Sequence, residues 1–216
     1  MFLSRVPLDL HKRATVIALA NPQRFHGAVE QAFPGERRRR LWRLDLLGEK
    51  LYLMILSEDT PDLSAIEEQF GAGEPGETKS YGPLLERILP GSVWRFRLAA
   101  NPTTSKVPSS GPLERGKVQA HVTPEFQEGW LRARAEKHGF RLKSLQVTGS
   151  RWLRFQKGQQ RRPVTLLSVV YEGVLEVTDP VLFRQVLTEG IGRGKAYGQG
   201  LLTVTRGGAS DIVKIS

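Results

Sequence analysis

The stretch VYEGVLEVTDPVLFRQVLTEGIGRGKAYGQGLLTVT, residues 170–205, decides the fold. It closes a β-branched run that begins at Val164 and reads as a strand to Val177. Asp179-Pro180 then starts a helix, because Asp is a good N-cap and Pro is favoured at the first helical position. The helix ends at Gly190, and Leu201–Thr205 reads as a closing strand. Between them lies Gly190-Ile191-Gly192-Arg193-Gly194-Lys195-Ala196-Tyr197-Gly198-Gln199-Gly200. Glycine loses the most conformational freedom on folding, so this run needs positive φ angles or room for something pressed against the backbone. Bare N–H groups, two cations and an aromatic suit a polyanion such as RNA or DNA.

Upstream, Val93–Ala99 alternates like a strand, and Asn101–Lys117, rich in Pro, Ser, Thr and Gly, reads as a long loop. Thr123-Pro124 caps and opens a helix that runs to about His138, before Gly139. Strands are predicted at about 140–147, 151–156 and 164–177. The first half carries the same order. Residues 2–8 form a strand, and Asn21-Pro22 opens a helix with an apolar stripe of Phe25, Val29, Ala32 and Phe33, ended by Pro34-Gly35. Arg39–Leu46 and Lys50–Leu56 form a hairpin through Leu47-Gly48-Glu49, Leu63–Phe70 is a helix, 71–80 a loop, and a last strand falls near 79–86. The chain therefore reads as α+β, with two tandem ferredoxin-like (RRM-like) β-α-β-β-α-β domains at 1–89 and 90–216. Such an order does not reveal function. The usual aromatic signature of RNA-binding sheets is absent, so loops and a basic groove are expected to do any RNA binding.

Charge sharpens this. The net charge is +10, which points to an anionic partner. Residues 1–89 hold 12 Lys and Arg against 13 Asp and Glu, whereas 90–216 hold 20 against 9. No acid occurs from Lys137 to Tyr171. Within that segment Arg151, Arg154, Lys157, Arg161 and Arg162 flank a hairpin tip at Lys157-Gly158-Gln159-Gln160, an arm suited to clamping nucleic-acid phosphates. Arg132, Arg134, Arg141 and Lys143 lie near it in sequence, and Arg37–Arg40 is a dense run bordering the first hairpin. Both kinds of run also occur as solvated faces. With no cysteine there is no disulfide or thiolate metal site, and a cytoplasmic address fits. The N-terminal MFLSRVPLDLHKR is too short and too broken for a signal peptide, and no apolar run approaches a membrane span.

There are four histidines, at 11, 26, 121 and 138. His26 lies five residues after the Asn21 cap, at the edge of its helix's apolar stripe, where it can face a cleft without being buried. An imidazole there can move a proton near neutral pH, and a helix's first turn favours a phosphate. RNA carries its own nucleophile, the 2′-OH, so cleavage needs alignment, proton movement and charge stabilisation. The acids are scattered, no metal site is predicted, and the glycine run lacks a Walker ending, so no cofactor is expected.

Several segments together resemble the CasE family, the endoribonucleases of type I-E CRISPR systems. They are the opening MFLSRVPLD; Ala20-Asn21-Pro22 followed by His26; Phe96-Arg97-Leu98-Ala99-Ala100-Asn101-Pro102; Tyr171 through Pro180; and Gly190-Ile191-Gly192 with Gly198-Gln199-Gly200. The resemblance implies metal-independent cleavage of precursor CRISPR RNA at the 3′ base of the repeat stem-loop. The ends are 5′-OH and 2′,3′-cyclic or 3′ phosphate, and the product stays bound within the Cascade complex, whose other subunits become partners. It makes His26 the general acid or base and the hairpin around Lys157 and Arg161 the stem contact. Gly192, Arg193, Gly194 and Lys195 lie along the RNA backbone. Where some relatives carry a tyrosine, this chain has Gln23, which can hydrogen-bond a phosphate or the 2′-OH but cannot act as a base. The alternatives are a guide-RNA-binding subunit that does not cut, and a basic protein that binds RNA without specificity.

Overall fold

Strand β1 (Phe2–Pro7) leads into helices α1 (Arg13–Ala20) and α2 (Gln23–Gln31), then the hairpin β2 (Leu41–Leu47) and β3 (Lys50–Ser57), helix α3 (Ser64–Phe70), strand β4 (Glu77–Ser80) and short helix α4 (Gly82–Glu86). The second half runs β5 (Val93–Ala100), β6 (Thr103–Lys106), β7 (Lys117–Ala120), α5 (Pro124–Ala135), β8 (Phe140–Phe155), β9 (Val164–Val177), α6 (Pro180–Glu189) and β10 (Leu202–Thr205). The structure, a computed structural model, describes residues 1–35, 38–106, 117–158 and 163–206. Its sheets have the orders β2-β3-β1-β4 and β10-β5-β9-β8, antiparallel throughout, with β6 and β7 as a separate pair. In each four-stranded sheet the first and third of its own strands in chain order are central, β1 and β3 in one and β5 and β9 in the other, which is the tandem ferredoxin-like arrangement.

Several elements depart from the sequence-based expectation. Helix α1 has no predicted counterpart: Lys12 before it is extended and gives no side-chain cap. Helix α2 begins at Gln23, with Pro22 already helical in the cap position. β4 lies largely within the stretch expected to be a loop, and the rest of the predicted strand near 79–86 is α4. The loop predicted over 101–117 contains β6 and β7. The two strands expected at 140–147 and 151–156 are one, β8, because its pairing with β9 continues through register shifts at Leu142/Ser144 and Val147/Gly149. Thr123 makes no side-chain cap bond, whereas Asp179 accepts from the backbone N–H of Val181 and Leu182 as predicted.

The two sheets share one core. Leu41, Met54 and Leu56 of the first pack in the same buried cluster as Trp94, Phe96 and Tyr171 of the second. A second cluster, with Val6, Phe25, Val29, Leu53, Ile66 and Phe70, fills the space between the first sheet and its helices. Polar ties add direction. Arg184 of α6 donates to the carbonyls of Leu85 and Ile88 at 2.9 and 2.7 Å. Arg43 of β2 is buried and donates to the carbonyls of Arg97 and Leu201 and the hydroxyl of Thr203, all in the second half, at 2.7–2.8 Å. Its remaining donors pair with Asp45, which also accepts from Arg97 Nε. No helix among the described residues is long and apolar enough to cross a membrane.

Candidate functional site

His26 owes its position to two packing decisions. Asn21 ends α1 and starts α2: its Oδ1 accepts from Gln23 N at 3.2 Å and its carbonyl from Arg24 N at 3.0 Å. Phe25 and Val29 are then fully buried, Phe25 against Trp42 and Phe70 with centroids 5.8 and 5.0 Å away. The next residue along the helix, about 100° round, is His26, half-buried. Gln23 is one turn earlier, so the two side chains are neighbours on the helix surface. Gln23 Oε1 is buried and has no hydrogen-bond partner among the described residues.

The glycine run meets this helix. All five glycines have positive φ, between 73° and 90°. The loop is closed at its base by Ile191 N donating to Gly200 O at 2.9 Å and Gly200 N to Ala99 O at 2.6 Å. A Cβ at Gly198 would stand 2.8 Å from Trp42 Cζ3, and one at Gly192 would stand 3.1 Å from the edge of Trp130. The loop is thus held between a tryptophan of each half. Its 3-10 turn, Lys195–Tyr197, brings the Tyr197 ring edge-on to the imidazole of His26, centroids 6.5 Å apart. Lys195 Nζ donates to Glu189 O at the end of α6. Burial first, then the Arg39 guanidinium nearby, holds its pKa below the ordinary lysine range. Arg193 is exposed and bridges to Asn101, while Gly192 is exposed and Gly194 half-buried.

Tyr197 also touches the basic hairpin, edge-on to Phe155 at 4.8 Å and packed with Leu153 and Leu166. Strand alternation puts Arg151 on the same face as Leu153 and Phe155, and Arg154 on the opposite face with Trp152. The arginines grouped in the sequence therefore do not form one surface: Arg151 lines a cleft of about 570 Å³ between the halves, with Leu19, Pro22, Trp42 and Tyr197. Arg154 and Lys157 are exposed. Arg161 and Arg162, like Arg37, lie outside the described residues. Arg141 and Lys143 both pair with Glu176, at 3.0 and 3.1 Å, and Arg132 with Glu128 at 3.4 Å. These three add less to a basic surface than their number suggests. Among the described residues no three His, Cys, Asp or Glu side chains group as metal ligands do.

Two features escape the sequence reading as site elements. Tyr197 carries a weak signal, an aromatic inside a glycine run. Arg43 and Asp45 carry a better one: in LWRLDLL the charges alternate with Leu and Trp in a predicted strand, so they share a face that the fold buries.

Comparison with known proteins gives a consistent result. A family described as CRISPR associated protein matches residues 1–206. The chain is 34% identical over 220 residues to the CRISPR-associated endoribonuclease Cse3 of Thermus thermophilus, covering 94% of this chain and 99% of that one. Among solved structures, Thermus thermophilus Cse3 bound to an RNA representing a pre-cleavage complex is 31% identical, with a TM-score of 0.77 over 95% of this chain and 98% of that one. CRISPR endoribonuclease Cse3 bound to a 19-nucleotide RNA is 30% identical, with a TM-score of 0.79 over 95% and 100%.

Proposed function

The chain belongs to the CRISPR-associated protein family matched over residues 1–206, and from this premise we propose that it is an endoribonuclease of precursor CRISPR RNA with His26 as its proton-transfer group. The observation that carries the reading is the half-buried imidazole of His26 facing the glycine loop, on a helix fixed by Phe25 and Val29. The similarity over nearly the whole chain to Cse3, an endoribonuclease, supports it.

In the proposed reaction the 2′-oxygen bonds to the adjacent phosphorus and the bond from phosphorus to the 5′-oxygen breaks. The 2′-OH proton leaves to a base and a proton reaches the departing 5′-oxygen. His26 performs one of these transfers, and no metal is required for either. The products are a 5′-OH and a 2′,3′-cyclic phosphate, which opens to a 3′ phosphate. Gln23 hydrogen-bonds the phosphate or the 2′-OH from the same helix face. Arg151, Arg154, Lys157, Arg161 and Arg162 hold the stem-loop, whose 3′ base is the cutting point. Gly192, Arg193, Gly194 and Lys195 lie along the backbone. The catalytic histidine belongs to a first domain ending near residue 89, and the RNA-holding groups to a second. The product stays bound in a Cascade surveillance complex in the cytoplasm, as the resemblance implies.

His26→Ala tests the reading. Cleavage of a cognate repeat hairpin is expected to fall by about 10²–10⁴, with hairpin affinity unchanged. Equal cutting by the variant would overturn the assignment. EDTA is expected to leave the parent's rate unaltered, and a loss that Mg²⁺ restores would overturn metal independence. Substituting Lys157 and Arg161 together is expected to weaken binding and flatten its salt dependence.

A further inference from the structure

A recess of about 240 Å³ lies on the second half, between β6, α5 and the glycine loop. It is lined by Thr103, Thr104, Ser105 and His121, by Trp130 and Arg134 of α5, and by Gly192 and Arg193 of the glycine loop. Among the described residues no acid lines it. Arg134 lies over the Trp130 ring, its guanidinium carbon 4.3 Å from the centroid, with one N–H donated to Trp130 O at 3.0 Å. The rest of its fork has no carboxylate partner among the described residues. Trp130 is only 4% exposed, yet its indole N–H has no hydrogen-bond partner among the described residues. It is the Arg134 fork that lines the recess and keeps N–H donors with no carboxylate among the described residues.

The surrounding field has the same sign. Burial first, then Arg134 and then Lys195, holds the His138 imidazole below its ordinary pKa. Arg39 acts likewise on Lys195. Cations thus run from Arg39 through Lys195 and Arg134 to Arg193, from beside the first hairpin to the recess. An anion in the recess would meet a guanidinium set over an indole ring, hydroxyls of β6 and a positive field.

We propose that this recess is a second RNA subsite, which takes a phosphodiester of the single-stranded RNA flanking the stem-loop. The inference rests on the RNA-processing reading above. Shape selects the single strand. A duplex presents its phosphates on a convex surface, whereas a concave recess of this size admits a phosphate with its ribose from a flexible strand. Arg134 supplies the ionic hydrogen bonds, and β6 supplies hydroxyl and backbone N–H donors for the remaining phosphate oxygens.

The test uses the full chain and three uncleavable RNAs with a 2′-deoxy group at the cut: the bare stem-loop, and the same stem-loop with a short single-stranded extension 5′ or 3′. The parent is expected to bind one extended RNA about tenfold more tightly than the bare stem-loop. Arg134→Gln is expected to erase that increment, to lower the salt slope on that RNA by about 1, and to leave the bare stem-loop's affinity unchanged. Thr104→Val, which leaves the stacked pair intact, is expected to erase part of it. Melting curves identify a variant that fails to fold. The proposal is overturned if neither extension strengthens binding, if Arg134→Gln and Thr104→Val both keep the full increment, or if Arg134→Gln loses the same factor on all three RNAs. Failure of the RNA-processing reading would look different: the parent itself would not prefer the stem-loop over random RNA of equal length.

Discussion

The ring of Tyr197 stands edge-on to the imidazole of His26, with centroids 6.5 Å apart and planes at 70°. The same ring is edge-on to Phe155 at 66°. Three elements distant in sequence, α2, the glycine loop and the base of the basic hairpin, therefore meet at one phenol. Edge-to-face pairs are each worth about 0.5–1.5 kcal/mol beyond burial, enough to bias the orientation of a half-buried ring.

Tyr197→Phe keeps the ring and is expected to cleave hairpin RNA at close to the parent rate. Tyr197→Ala removes it and is expected to slow single-turnover cleavage by roughly 10–100-fold, the scale of a small misplacement of a reacting group, with a smaller effect on affinity. If the alanine variant cuts like the parent, the contact does not orient His26. If phenylalanine is as slow as alanine, the hydroxyl matters and the edge contact does not.

Gly198 and Gly27 make a contrasting pair. Gly198 has φ +75°, and its added Cβ would press on the Trp42 ring at 2.8 Å. Gly198→Ala is therefore expected to cost at least about 1–2 kcal/mol for the left-handed backbone alone and to slow cleavage by displacing Tyr197. Gly27 is helical and nothing lies within 4 Å of its Cβ position. Gly27→Ala, directly beside His26, is expected to raise stability by about 1 kcal/mol. Thermal melts of both variants check this, and the idea fails if the two shift Tm in the same direction.

Arg43→Ala leaves the Asp45 carboxylate buried with Arg97 as its one charged partner among the described residues, and takes a donor from the carbonyls of Arg97 and Leu201. Breaking a buried pair from one side costs about 3–5 kcal/mol, which in a chain of this size is a Tm loss of roughly 6–20 °C. Arg43→Lys is expected to recover only part of it, since an ammonium cannot reproduce the fork that reaches Asp45, Arg97, Leu201 and Thr203 together. A drop of under 2 °C for the alanine variant would contradict this.

His138 gives stability an acid limit. Its folded pKa lies below the ordinary value, from burial, then Arg134, then Lys195, so below pH about 6.5 the unfolded chain binds more protons than the folded one. The contribution is complete above that pH and is lost as pH falls through the lower folded value. Denaturant melts between pH 5 and pH 8 are expected to show a smaller acid-side decline in His138→Gln than in the parent. An identical decline would assign the effect to other groups.

Much of the architecture was readable because the start and stop signals are local. Asn21-Pro22, Asp179-Pro180, Gly139 and Gly190 mark helix ends within a residue or two, and the stripe of Phe25, Val29, Ala32 and Phe33 is buried as read. Helix α1 was hidden because Thr15, Val16 and Ile17 are weak helix formers and Lys12 offers no cap. Its support is tertiary: Thr15 Oγ1 donates to Phe70 O, and Lys12 Nζ to the carbonyl of Glu68. Strand β8 looked broken because Thr148-Gly149-Ser150 reads as a turn, whereas a bulge there keeps the ladder running. The half-buried position of His26 at the edge of its helix's apolar stripe was legible from that helix alone. Its neighbour Tyr197 was not, because their approach depends on Gly198 fitting against Trp42, a contact across 156 positions of chain that no local pattern encodes.

Glycine-rich loops are commonly taken to be supple, and this one is built the other way. Trp42 and Trp130 brace it, Ile191 anchors it at 1% exposure, and paired backbone bonds lock its base. A loop that became ordered only on contact would subtract about 1–2 kcal/mol per residue from affinity in lost conformational entropy. These contacts are made within the chain itself, so a strand bound along the loop as proposed is expected to owe less of that cost. The glycines form its corners, and what they would offer a bound strand is stiffness.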